Sequence, residues 1–124
     1  MQETIAYVRI SDARKQDAAS QEHALTTYAK DNGLVISRWV TEAVSASKTQ
    51  IADRELSQYV NTGARILMTD ATRLGRKGVM RLMGVIGQAT ENGGELHFTN
   101  TGRVITETNM DNAEILAVAL LMNE

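Results

Sequence analysis

The sequence predicts an α/β fold, a three-layer-like domain. Its centre is a mostly parallel sheet of four to five strands flanked by helices, with a further helix at the C-terminus. Three observations predict it. Short runs rich in β-branched and aromatic residues alternate with longer stretches whose apolar residues recur at helical spacing. Glycines stand where those helices should end. Strands that alternate with helices imply parallel pairing, because each crossover carries the chain back to the same sheet edge.

Thr4–Ile10 is an apolar run that reads as a buried strand, and Ser11-Asp12-Ala13-Arg14-Lys15 breaks it. A helix fits from about Asp17 to Asn32, with Leu25, Tyr28 and Ala29 as its apolar stripe and Gly33 at the position of a C-cap glycine. Leu34 to Val40 reads as the second strand, with Trp39 in the core, and Thr41 to Ala52 as a polar connection of small residues. Asp53 to Thr62 forms a short helix carrying Leu56 and Val60 and stopped by Gly63; Arg65 to Thr69 is a third strand. Val79 to Asn92 is helical, with Val79, Leu82, Met83 and Ile86 on one face and Gly93-Gly94 as its stop, and Glu95 to Thr99 is a fourth strand.

From Asp111 onward the chain reads as helix. Between Ala113 and Met122 the only polar residue is Glu114. A helix apolar nearly all round must be covered on most faces. One small domain covers one side, so the other side is expected to meet a partner subunit.

The chain has 124 residues, 43% of them hydrophobic, which suits one domain over 1–124. With no cysteine there is no disulfide, thiolate metal site or thiol nucleophile. No apolar run approaches the ~20 residues of a membrane span, and Met1-Gln2-Glu3-Thr4 is no secretory leader; a cytoplasmic setting is expected. The net charge of −2 argues mildly against nucleic acid, so the placement of the arginines matters more than their sum.

Open parallel sheets bind ligands beyond the carboxyl ends of their strands. Three such ends are Arg9-Ile10-Ser11, Val40-Thr41-Glu42 and Thr69-Asp70-Ala71-Thr72. Arg9 and Ser11, two apart on a strand, share a face. A serine hydroxyl needs activation or a polarised target, and a nearby guanidinium can clamp a phosphate with two bonds. Taken alone, the pair reads more readily as a helix-capping serine beside a surface arginine. Arg73 and Arg76 in Thr72-Arg73-Leu74-Gly75-Arg76 fall on one side of a helical turn. As an isolated pair they read first as solvated charges, but positive charge is unfavourable at a helix start, which shifts weight toward a phosphate site. Arg54, in Asp53-Arg54, is positioned to reach the same region or to pair at the surface.

Other chemistries find little support. His23 reads as a helix-surface residue and His97 as lying on the polar face of the sheet, and neither has metal-ligand spacing. The turn from Ser11 to Gln16 lacks glycine, against a dinucleotide fingerprint or a P-loop. Trp39 and Phe98 make no base-stacking platform. No metal or cofactor is expected.

Together these pieces resemble the catalytic domain of serine recombinases, the resolvase and invertase family. Tyr7-Val8-Arg9-Ile10-Ser11 matches that family's opening Tyr-x-Arg-x-Ser strand. Gln21 matches a glutamine near the serine, and Gln16 is a candidate for a second. Thr41-Glu42-Ala43 with Ser45 stands where the family has an acidic residue and a small-residue loop; Asp53-Arg54 and Arg73-Leu74-Gly75-Arg76 match its Asp-Arg and Arg-Leu-x-Arg signatures. The apolar C-terminal helix matches the long helix on which these proteins dimerise. Thr72 departs from the family's aspartate before Arg-Leu-x-Arg, and Asp70 is the nearest carboxylate.

The resemblance implies metal-free DNA strand cleavage and rejoining by a site-specific recombinase. Ser11 is the implied nucleophile; Arg9, Arg54, Arg73 and Arg76 neutralise charge; Gln21, Glu42 and Asp70 support them. It further implies DNA as partner, a homodimer that becomes a tetramer during strand exchange, and a DNA-binding module absent from these residues. The competing expectation is a catalytically inactive oligomerisation or regulatory module of the same fold, which Thr72 favours.

Overall fold

Strand β1 (Thr4–Ile10) is buried at all seven positions. A strand covered on both faces carries apolar residues continuously instead of alternating, and β1 is therefore the centre of the domain. The computed structural model describes residues 2–10, 15–43, 56–69 and 86–108. After β1 come α1 (Lys15–Asp31), β2 (Arg38–Ala43), α2 (Ser57–Val60), β3 (Arg65–Met68), a helical run over 86–91, β4 (Glu95–Phe98) and β5 (Arg103–Ile105).

The five strands form one sheet in the order β2-β1-β3-β4-β5. All neighbours are parallel except β4 and β5. The mostly parallel sheet with flanking helices is the fold class expected, while the C-terminal helix lies outside the described residues.

Alternate residues of β1 serve two cores. Ala6, Val8 and Ile10 pack with Leu25 and Ala29 of α1 and with Leu67. Ile5 and Tyr7 pack on the opposite face with Val40, Leu56, Val60, Ile66, Ile86, Leu96 and Phe98. The glycine stops are realised. Gly33 takes φ 66, and the Gly33 and Leu34 N–H groups donate to Lys30 O and Ala29 O at 3.3 and 2.8 Å. Gly93 takes φ 82, and Gly93 and Gly94 repeat the pattern on Thr90 O and Ala89 O, both at 2.9 Å. These paired bonds are the Schellman ending that a left-handed residue permits.

Two expectations are corrected, and one strand appears that the sequence reading did not locate. The second strand begins at Arg38 rather than Leu34 and runs to Ala43. Leu34 and Ile36 pack under α1 without joining the ladder, and the register Ile5↔Arg38 to Ile10↔Ala43 brings Thr41 and Glu42 into the strand. Trp39 is 42% exposed rather than buried. It shares a face with Ala6, but α1 packs over β1 and β3 and leaves that face of edge strand β2 open. Finally β5, with three residues, is too short to show a period; only its pairing with β4 across the Thr99–Gly102 turn reveals it.

Candidate functional site

The order β2-β1-β3 makes β1 the point where the chain's crossovers change sides, and the crevice beyond the carboxyl ends at such a point is where open parallel sheets bind ligands. Pairing of β1 with β3 is recorded only for Thr4, Ile5 and Ala6, whereas pairing with β2 continues to Ile10. The sheet therefore opens between β1 and β3 toward the carboxyl end.

Gln21 closes the backbone at that opening. It is buried on α1 and takes both polar groups of one residue of β1. The Arg9 N–H donates to Gln21 Oε1 at 3.2 Å, and Gln21 Nε2 donates to Arg9 O at 3.0 Å. A side-chain amide has one acceptor and a donor in fixed relation, so it replaces the peptide group of the strand that has diverged.

The Arg9 side chain is 3% exposed. Arg9 is therefore not the surface charge that one reading of the sequence allowed. Burying a guanidinium is costly unless it is paired, and such groups gather at functional sites. The register sets Arg9 directly opposite Glu42 on one face. Glu42, also buried, accepts a 2.7 Å hydrogen bond from the Tyr7 hydroxyl onto Oε2. Tyr7, Arg9 and Glu42 thus form one polar group at the carboxyl ends of β1 and β2. The sequence reading passed over Tyr7 as a functional side chain. The available signal was a phenol inside a buried, mostly apolar strand, which needs a partner when buried.

Of the expected site residues, Arg9, Gln21 and Glu42 are thereby brought together. Ser11, Arg54, Asp70, Arg73 and Arg76 lie outside the described residues, as do Thr72 and the side chain of Gln16. Ser11 follows Ile10, the last residue of β1, by one position.

A second polar group, missed by the sequence reading, occupies the amino ends of the strands on the α1 face. Arg65 Nε donates to Glu95 Oε1 at 3.1 Å and its Nη1 to Thr4 Oγ1 at 3.1 Å. His97 Nε2 lies 2.8 Å from Glu95 Oε1, and His97 Nδ1 lies 2.7 Å from the Tyr28 hydroxyl. His97 is therefore buried beneath α1 and not on an open polar face, because β4 sits inside the sheet. Burial pushes the His97 imidazole below its ordinary value, against the upward pull of Glu95. Partial burial acts to raise the Glu95 carboxyl, but hydrogen bonds and charge from His97 and Arg65 hold it below the usual range. Burial and the Glu95 charge raise the Tyr28 phenol. The missed signal was a polar residue opening each of β1, β3 and β4.

Among the described residues no cluster of His, Asp and Glu is gathered as a metal centre requires, and no helix is long and apolar enough to cross a membrane.

A family model described as the resolvase N-terminal domain matches residues 4–124. No curated protein sequence matches the chain. Among solved structures, the N-terminal catalytic domain of TP901-1 integrase is similar at TM-score 0.74 and 19% identity, over 97% of this chain and 93% of that one. A resolvase family site-specific recombinase from Streptococcus pneumoniae is similar at TM-score 0.72 and 14% identity, over 98% and 85% of the two chains. The C-terminal catalytic domain of ISC1926 TnpA, an IS607-like serine recombinase, is similar at TM-score 0.67 and 23% identity, over 78% and 70%. At these identities the structural likeness carries the fold.

Proposed function

The chain belongs to the resolvase N-terminal domain family, and on that premise we propose that residues 1–124 form the catalytic domain of a site-specific DNA recombinase whose nucleophile is Ser11. The observation that carries this reading is the buried Arg9 at the carboxyl end of β1, its backbone held by Gln21 and its side chain set beside Glu42. The chain leaves β1, β2 and β3 from adjacent parallel carboxyl ends. The segments that carry Ser11, Arg54 and the pair Arg73 and Arg76 therefore start from one edge of the sheet.

In the proposed reaction the Ser11 Oγ attacks a scissile phosphate. The new P–O bond links serine to the DNA 5′ end, the bond to the 3′ oxygen breaks, and that oxygen leaves as a hydroxyl after gaining a proton. Rejoining reverses the step, with a 3′ hydroxyl attacking the phosphoserine. Phosphoryl transfer depends mainly on positioning and on charge stabilisation, which Arg9, Arg54, Arg73 and Arg76 supply. Asp70 stands in for the carboxylate that Thr72 lacks. DNA is the partner, and the domain dimerises and forms tetramers through its C-terminal segment.

The test is covalent capture. With a suicide DNA substrate the full-length protein that carries this domain forms an adduct that survives denaturing electrophoresis, and Ser11→Ala abolishes it while the variant still folds and self-associates. An adduct that persists in Ser11→Ala refutes the assignment. A wild-type chain that binds and assembles on DNA without forming an adduct identifies the inactive module instead.

A further inference from the structure

The sheet-facing stripe of α1 runs over buried Gln21, Leu25 and Ala29 and half-buried Tyr28, and the surface beneath it is Ala6, Val8, Ile10 and Leu67. This contact is apolar, and apolar contact has no direction. Such packing holds a helix against the sheet without fixing its position along it. Direction comes from two hydrogen-bonded ties, Gln21 to the backbone of Arg9 and Tyr28 to His97. Gln21 and Tyr28 are seven residues apart, two helical turns, so they lie in one stripe about 10 Å apart along the axis.

The second tie is anchored in turn. His97 contacts Glu95, Glu95 accepts from Arg65, and Arg65 reaches Thr4, so the chain of bonds crosses β4, β3 and β1. With His97 neutral, the consistent arrangement has Nε2–H donating to Glu95 and Nδ1 accepting the Tyr28 O–H. A second proton on Nδ1 reverses the outer bond, and Tyr28 must then accept and turn its own O–H away. Among the described residues, the titratable and charged groups in this bonded chain are Glu95 of the same strand, Arg65 of β3 and Tyr28 of α1. Leu67 and Val104 are the flanking strand partners of His97.

We propose that His97 is a positioning residue for the carboxyl end of β1. Through Tyr28 it sets α1, and through Gln21 the helix sets the backbone of Arg9, two residues before Ser11. The Glu95–Arg65–Thr4 bonds reach β1 at its amino end, whereas the route through α1 reaches its carboxyl end at Arg9. The inference rests on reading that end as the reacting end, but its structural part can be measured without DNA.

The experiment is a pH titration of the 124-residue chain by NMR. It follows the His97 imidazole, the Gln21 side-chain amide and the Arg9 backbone N–H. The Gln21 and Arg9 resonances should move with the His97 midpoint. In Tyr28→Phe, which keeps the ring and loses only the hydroxyl, they should stop moving while His97 still titrates. Gln21 and Arg9 resonances that stay flat through the His97 titration, or that still move in Tyr28→Phe, overturn the proposal. On DNA, Tyr28→Phe should slow single-turnover cleavage roughly five-fold, the scale of one hydrogen bond, with DNA affinity unchanged; an unchanged rate overturns the link to catalysis. A full-length wild-type protein that binds DNA and cleaves nothing overturns the recombinase reading alone, and coupled resonances then still support the positioning of Arg9 by His97.

Discussion

Gln21 binds both backbone polar groups of Arg9, accepting at 3.2 Å and donating at 3.0 Å. A helix side chain thereby does the work of a neighbouring strand at the point where β3 parts from β1. Gln21→Leu should destabilise the fold by about 2–6 kcal/mol, because each of the two buried backbone groups left without its bond costs about 1–3 kcal/mol. Gln21→Glu keeps the acceptor, loses the donor and sets a carboxylate against the Arg9 carbonyl. Urea denaturation should rank wild type above both variants. A Gln21→Leu midpoint equal to wild type would show that β1 does not depend on this amide.

Tyr7 is fully buried and donates to Glu42 at 2.7 Å. Tyr7→Phe removes a donor from a buried carboxylate while preserving ring packing. Stability should fall by about 1–3 kcal/mol, and covalent adduct formation should fall with it, because Glu42 faces Arg9 across the strand pair. If Tyr7→Phe loses stability with no change in adduct yield, the Tyr7–Glu42 pair is structural only.

The group at the opposite end of the sheet predicts a pH dependence. Burial holds the folded-state His97 below its ordinary value of 6.5, and His97 with Arg65 holds Glu95 below its ordinary 4.5 despite partial burial. Both groups bind protons less readily folded than unfolded. Their contribution is therefore complete above the unfolded values and is lost as pH falls, first below about 6.5 through His97 and then below about 4.5 through Glu95. The urea midpoint should drop between about pH 7 and pH 5.5, and His97→Gln should flatten that portion of the curve. A wild-type midpoint that is level across this window would contradict the burial of a neutral His97.

Trp39 is the only tryptophan, and it sits half-exposed on the edge strand. Its emission should be quenched readily by acrylamide in the folded chain. Trp39→Ser should change stability by no more than about 1 kcal/mol, near the range of surface substitutions. Protection of Trp39 from the quencher in the dilute chain would mean that something covers this face.

The sequence by itself determined the continuous apolar strand Thr4–Ile10, the glycine endings at Gly33 and Gly93, the parallel α/β class and the motif order that marks the family. These are local or periodic properties, set by which residues tolerate a left-handed turn, a pleat or a buried face. Tertiary structure decided the rest. The register that carries β2 to Ala43, the three-residue β5 and the exposure of Trp39 depend on which strand lies next to which, and no window of neighbouring residues contains that. The same holds for the site. That Arg9 is interior, that Gln21 supports its backbone, and that Tyr7 meets Glu42 follow from burial and from contacts 12 and 35 residues apart in the chain. A charge's environment is a property of the packed sheet, and only packing could show that the arginine two residues before Ser11 is interior and braced by a helix side chain.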